Sequence, residues 1–255
     1  QAPGILAMLR ALLKDSRYDV RVVAPFAQQS GTSHRISVRG TLFVERIEYP
    51  GDLSSVIAYK VKGTPADCVK VGLNYSLFGE WYPDLVISGI NKGLNTGLNA
   101  YYSGTLAAAR EGNFNGIPSI GISMAFLGAT ILHFENGADR AMEFINFLVE
   151  KIPENIDIIR SVCFNINLPN VKKEQNKKWI YTTQGMSIFK DRHIEQNRIV
   201  DEKGQIQKTE YVLNYAYEVY STDESTCCAT VAKGFCSVNA IPLKYDETAP
   251  SKEFS

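Results

Sequence analysis

Residues 83–112, PDLVISGINKGLNTGLNAYYSGTLAAAREG, change character twice. The apolar run Leu85-Val86-Ile87 has the composition of a strand buried on both faces. It passes into glycine, asparagine, serine and threonine, and then into an Ala-rich segment, 104–112, that reads as a helix. Strand, polar loop and helix form the repeating unit of an open α/β sheet, whose ligands gather outside the carboxyl ends of the strands. Residues 88–105 are the loop at such an end. Gly93, Gly97 and Gly104 let a backbone come close to a ligand there. Ser103, Gly104 and Thr105 open the helix, where N–H groups and hydroxyls aim at an anion such as phosphate, and Asn95 adds an amide. Singly, each residue reads equally as a turn former or an N-cap. Their density at this position favours a binding loop.

Working outward, Ile5, Leu6, Met8, Leu9, Leu12 and Leu13 form a helical stripe behind Pro3, a first-turn proline, and 19–25 is strand-like. A helix leading into a strand is the second half of a β-α-β unit, so a further strand is expected ahead of Gln1. A polar loop, Phe26 to Arg39, follows. Then comes a hairpin-like pair, about 41–48 and 55–62, turning at Pro50-Gly51. At 64–67 a helix starts, with Thr64 as N-cap, Pro65 at the first position and Asp67 facing the helix dipole. Residues 118–123 read as another strand, and 137–151 as a helix with a stripe through Ala141, Phe144, Ile145 and Leu148.

Beyond residue 155 the texture changes. Runs at 162–167, 179–183, 211–220 and 235–243 are extended or alternating, and the polar stretch 190–207 between two of them predicts an exposed loop or an arm reaching another subunit. The predicted class is α/β, with a mostly parallel central sheet and an antiparallel extension. The expected organisation is a core over 1–155, its first strand upstream of Gln1, and an extension over 156–255 carrying oligomerisation strands within the same domain.

Composition narrows the partners. The 255 residues are 45% hydrophobic, enough for a sizeable core, and 27 Lys and Arg balance 27 Asp and Glu. With no block of like charge, neither a nucleic-acid polymer nor an anionic membrane is the expected partner, and a small molecule is. No apolar run reaches the roughly 20 residues of a membrane span. Five cysteines, an odd count without C-x-x-C spacing, point to neither a disulfide framework nor a zinc site, and a reducing cytoplasmic compartment is expected. Cys227 and Cys228 read as small packing residues. G-x-S-x-G, G-x-G-x-x-G and the P-loop pattern are absent, which argues against a serine hydrolase, a nicotinamide site and a P-loop enzyme. Ser30 and His34 lie close in sequence, but no third group orients them. His34 is read as fixing its loop or facing a phosphate, and His133 and His193 as surface or packing residues.

GTPADCVK (63–70), PDLVISGINKGLNTG (83–97), YYSGTLAAAREG (101–112) and GIPSIGIS (116–123), with VVAP and QSGTSH between 22 and 34, closely resemble the SurE family in order and spacing. These are metal-dependent nucleotidases, also called survival protein E. CFNINLP and GFCSVNAIPL resemble the family's C-terminal strands. The resemblance implies a Rossmann-like three-layer fold and hydrolysis of nucleoside monophosphates to nucleoside and phosphate. It also implies one divalent ion, Mg²⁺ or Mn²⁺, and a homodimer or homotetramer whose C-terminal segments reach between subunits. It places Ser30 and Asn91 on the metal, leaving Asn95, Ser103, Gly104, Thr105 and His34 for the phosphate.

The family's Asp pair, in an N-D-D-G turn, falls upstream of Gln1, and the catalytic carboxylates are expected there. Hard divalent cations commonly take carboxylates, and the loops 26–39 and 88–103 contain none. Two other departures stand out: Phe26-Ala27-Gln28-Gln29 replaces an Asp-led basic segment, and Cys227 stands where the family often has Asp. Whether 5′ phosphates, 3′ phosphates or short polyphosphate are preferred stays open. So does a second class of function, a nucleotide- or phosphate-binding module without hydrolysis, which follows if the Asp pair is absent.

Overall fold

The computed structural model describes residues 2–126, 129–218 and 223–244. Helix α1 (Pro3–Leu12) starts on Pro3 and buries Met8, Leu9 and Leu12. Strand β1 (Arg21–Pro25) pairs in parallel with β3 (Ile57–Val61), and β3 pairs antiparallel with β2 (Val44–Ile47), so the expected hairpin forms. Helix α2 (Pro65–Gly72) opens with the expected cap: Thr64 Oγ1 accepts from Asp67 N at 3.2 Å, and Asp67 Oδ2 accepts from Thr64 N at 2.9 Å. A short α3 (Tyr75–Phe78) follows.

The larger sheet holds β4 (Val86–Lys92), β5 (Ser119–Met124) and β6 (Val162–Leu168), parallel and in that order. Beyond β6, β10 (Cys236–Pro242) pairs antiparallel, and β7 (Trp179–Tyr181) lies parallel to β10. Helix α4 (Gly104–Phe114) links β4 to β5, α5 (Phe134–Arg160) links β5 to β6, and α6 (Cys227–Ala232) leads into β10. α1 packs with α5, and α2 with α4. Strand β5 explains why its sequence is apolar yet interrupted by small residues. Ile120, Ile122 and Met124 join the core of α1 and α5, while Gly121 meets α4 on the other face. A Cβ at Gly121 would sit 2.5 Å from Leu106 Cδ2, so only glycine lets the helix settle this close.

β1 and β4 do not pair, and they belong to different sheets. Between them runs a groove of about 590 Å³, lined among others by Leu9, Val20, Val22, Val69, Ile87 and Ala108. Two expectations need revision. The stretch 190–207 is not a loop: it lies in a ribbon of β8 (Ile188–Val200) and β9 (Ile206–Glu218), antiparallel and turning at 201–205. The division at 155/156 falls inside α5, at a kink where Asn155 (φ −131°, ψ 24°) follows Pro153, and β6 continues the core sheet. The end of the aromatic run 211–220, at 219–220, and the end of the extension, 245–255, lie outside the described residues. Among the described residues no helix is long and apolar enough to cross a membrane.

Candidate active site at the carboxyl edge of the sheet

Register builds the site. Asn91 on β4 lies beside Ser123 on β5, Ser123 beside Asn167 on β6, and Asn167 beside Ser237 on β10. This polar row crosses the sheet near the ends of its parallel strands, where an open α/β fold presents ligands. Ser123, Asn167 and Ser237 are fully buried, so each needs hydrogen-bond partners.

Asn95 supplies many of them. Its N–H donates to Asn167 Oδ1 at 2.8 Å, its carbonyl accepts from Asn165 Nδ2 at 2.8 Å, and its own Nδ2 donates to Ser123 Oγ at 2.6 Å. Asn167 Nδ2 closes the network on Asn165 Oδ1 at 3.0 Å. Expected at the phosphate, Asn95 thus has its amide nitrogen committed inward, holding the loop after β4 in shape. Sequence reasoning did not single out Asn165 or Asn167. The available signal was FNIN, two asparagines alternating through a strand with no solvent face.

Asn91 is half-buried at the end of β4, and its Nδ2 donates to Gly93 O at 2.8 Å. That bond leaves Oδ1 as the amide's free-standing acceptor type, the atom a cation would use. Ser30 is exposed in the loop after β1, where its Oγ accepts from Gln28 Nε2 at 2.9 Å.

The tip of α4 lies against the same loop. A Cβ on Gly104 would sit 3.0 Å from Thr32 Oγ1 and 3.4 Å from Gln29 O, so glycine is what lets the Ser30 loop close on the helix start. Ser103 is the N-cap: its Oγ accepts from Leu106 N at 3.1 Å and its carbonyl from Ala107 N at 3.0 Å. The Ser103 oxygen thus caps the helix, and its O–H is a donor the cap does not use. The N–H groups of Gly104 and Thr105 remain as the first donors of an 11-residue helix, where the helix dipole favours an anion.

His34 points elsewhere. Its Nε2 lies 3.0 Å from Glu111 Oε2, and its ring stacks on Phe114 at 5.1 Å between centroids and 4° between planes. Glu111 also pairs with Lys70 Nζ at 2.8 Å. Burial pushes the Glu111 carboxyl up, but its hydrogen bonds from Lys70 and His34 outweigh that and hold its pKa below the ordinary carboxylate value. Of the two options read from the sequence for His34, loop fixing is the one this pairing favours.

All five cysteines are free and buried. Burial pushes the Cys68 and Cys163 thiols up to about 12, and the shared contact with Cys228 at 3.9 Å, followed by burial, pushes Cys227 up as well. Cys68, Cys163 and Cys227, so protonated, are packing groups rather than nucleophiles, whereas contacts with Cys227 and with Ser187 Oγ at 2.6 Å hold the Cys228 thiol below its ordinary value. Among the described residues no three His, Cys, Asp or Glu side chains gather as a metal site.

Fold and site together define a three-layer α/β protein whose polar mouth, at the carboxyl ends of parallel strands, faces a helix tip suited to an anion. A family model described as Survival protein SurE matches residues 1–191. The 5′-nucleotidase SurE of Thermosipho africanus is 39% identical over 191 residues, covering 74% of this chain and 69% of that protein. The 5′-nucleotidase SurE of Caldanaerobacter subterraneus subsp. tengcongensis is 35% identical over 248 residues, covering 97% and 89%. In three dimensions the SurE protein from Aquifex aeolicus superposes with a TM-score of 0.76 at 31% identity, over 99% of this chain and 93% of that one. The chain belongs to the SurE family.

Proposed function

We propose that this chain is a 5′-nucleotidase that hydrolyses nucleoside monophosphates to nucleoside and phosphate. The observation that carries the reading is the α4 tip, with the Gly104 and Thr105 N–H groups beside the Ser30 loop, at the strand edge that also holds Asn91. The relatives named 5′-nucleotidase SurE support it. In the reaction a water oxygen attacks phosphorus, the ester P–O bond breaks, and the nucleoside oxygen leaves with a proton. The helix tip holds the non-bridging oxygens as their charge redistributes. The Asn95 network pins the loop after β4 to β5 and β6.

Ser30 and Asn91 are proposed to face one Mg²⁺ or Mn²⁺ ion, whose chemistry would be to polarise the phosphoryl group and orient water. As a donor set the two do not suffice. Both are neutral, and no carboxylate in the described loops around them supplies the charge such an ion commonly takes. The family resemblance assigns the carboxylates to an Asp pair in an N-D-D-G turn.

The test is phosphate release from a nucleoside 5′-monophosphate by the full-length natural protein with Mn²⁺ or Mg²⁺. Asn91→Ala and EDTA are each expected to lower turnover by about 100-fold or more; full turnover in both overturns the reading. The neutral donor set of Ser30 and Asn91 favours one alternative, a binding module. It predicts nucleotide binding by calorimetry without phosphate release. The ribbon of β8 and β9 supports a homodimer or homotetramer, because Ile194, Tyr211 and Val212 stand exposed on it. Free, undisulfided cysteines support a cytoplasmic setting.

A further inference from the structure

Loop 26–39 has no regular structure after Pro25, yet it carries Ser30, so something else must hold it. Near Ser30 the ties are short. Thr32 Oγ1 donates to Gln29 O at 2.9 Å, Ser33 N to Tyr102 O at 3.0 Å, and Ser33 Oγ to Tyr101 O at 2.6 Å. The next residue, His34, reaches Glu111, whose side chain is 4% exposed and sits about two turns into α4 from the tip. Glu111 simultaneously holds Lys70 of α2. One buried carboxylate thus joins α2, α4 and the loop.

We infer that Glu111, His34 and Lys70 form a latch that positions the Ser30 loop against the α4 tip, which makes Glu111 and His34 positioning residues for hydrolysis. This rests on the reading that Ser30 and the α4 tip share one active site. Removing the latch leaves a buried charge with one partner fewer, and the loop relaxes from His34 back through Ser33 to Ser30. A shift of about 1 Å at a reacting centre costs on the order of 100-fold in rate. An open surface depression lined by His34, Ile36, Lys70, Glu111, Phe114 and Asn115 lies beside the latch. The His34 side chain is 22% exposed, and His34→Ala is expected to stay folded, which circular dichroism checks.

The experiment compares the full-length natural protein with His34→Ala, His34→Gln and Glu111→Gln, using a nucleoside 5′-monophosphate and Mn²⁺. His34→Ala is expected to lower kcat by about 10- to 100-fold while KM moves by less than about threefold. His34→Gln, whose amide can still donate to Glu111, is expected to recover most of kcat. Amide hydrogen exchange over residues 28–33 is expected to quicken in His34→Ala and in Glu111→Gln and to stay protected in His34→Gln. The latch is overturned if folded His34→Ala keeps wild-type kcat and exchange, or if His34→Gln is no better than His34→Ala. Should the wild-type protein itself release no phosphate, the nucleotidase reading fails, and exchange alone still decides the latch.

Discussion

Loop 26–39 and the β8–β9 ribbon stand in opposite relations to the body of the protein. The loop lacks regular structure and bonds outward: Ser33 donates to Tyr101 and Tyr102, His34 pairs with Glu111, Arg35 O accepts from Thr64 Oγ1, and Ser37 donates to Asp67. The ribbon is regular, with 13 residues in each strand, and its strands pair only with each other, so each keeps one open edge; its chief contact with the body is at Gly97–Tyr102. Regularity and fixedness are separate properties. A segment is held in place by bonds that leave it, and a functional loop needs such bonds more than it needs a ladder.

The largest effect that can break this comparison is expected at Asp67. It is 2% exposed and accepts from Ser37 N and Ser37 Oγ, both at 2.8 Å, and from Thr64 N at 2.9 Å. Asp67→Ala strands these donors and is expected to cost about 3 kcal/mol in urea unfolding. A loss below about 1 kcal/mol would mean that the loop is held by other means. Next comes Asn165→Ala, which removes the donor to Asn95 O and the acceptor of Asn167 Nδ2. It is expected to cost about 2 kcal/mol by the same measurement.

A smaller effect is the pH dependence of stability. Burial pushes the Asp67 carboxyl up, but hydrogen bonds from Ser37 and Thr64 outweigh it, so its folded pKa, like that of Glu111, lies below the ordinary carboxylate value. A depressed pKa contributes stability that is present above the unfolded value, near 4, and is lost as pH falls through the folded value. Urea midpoints are therefore expected to drop below about pH 4, and more steeply in the wild type than in Asp67→Asn. Equal slopes would remove Asp67 from the account.

The smallest effect on stability is expected in the ribbon. Lysine at Tyr211 and Val212 together, both exposed, is expected to change monomer stability by about 0.5 kcal/mol or less. The same variant is expected to shift sedimentation toward smaller species. An unchanged assembly with an unstable monomer would place the ribbon against the body rather than against another subunit.

Strand, loop and helix were legible wherever one residue sets its own backbone or caps its own helix. The Thr64-Pro65-Asp67 start and Pro3 at the head of α1 are decided within one turn of chain. The charged stretch 190–207 leaves loop and arm open in the sequence for the complementary reason. Strand periodicity shows only where one face is buried, and a ribbon projecting into solvent imposes no such pattern. Glu111 was invisible because nothing in AAREG distinguishes a buried carboxylate from a solvated one.

The sequence by itself determined the α/β alternation, the caps and the place of the polar mouth, because these follow from local sterics, hydrogen-bond capacity and the spacing of apolar residues. Tertiary structure alone decided that His34 meets Glu111 across 77 positions and that Asn165 meets Asn95 across 70. It also decided that the Asn95 amide nitrogen turns inward to Ser123. A side chain with several donors and acceptors takes the partners that packing brings within about 3 Å, and only the assembled layers say which those are.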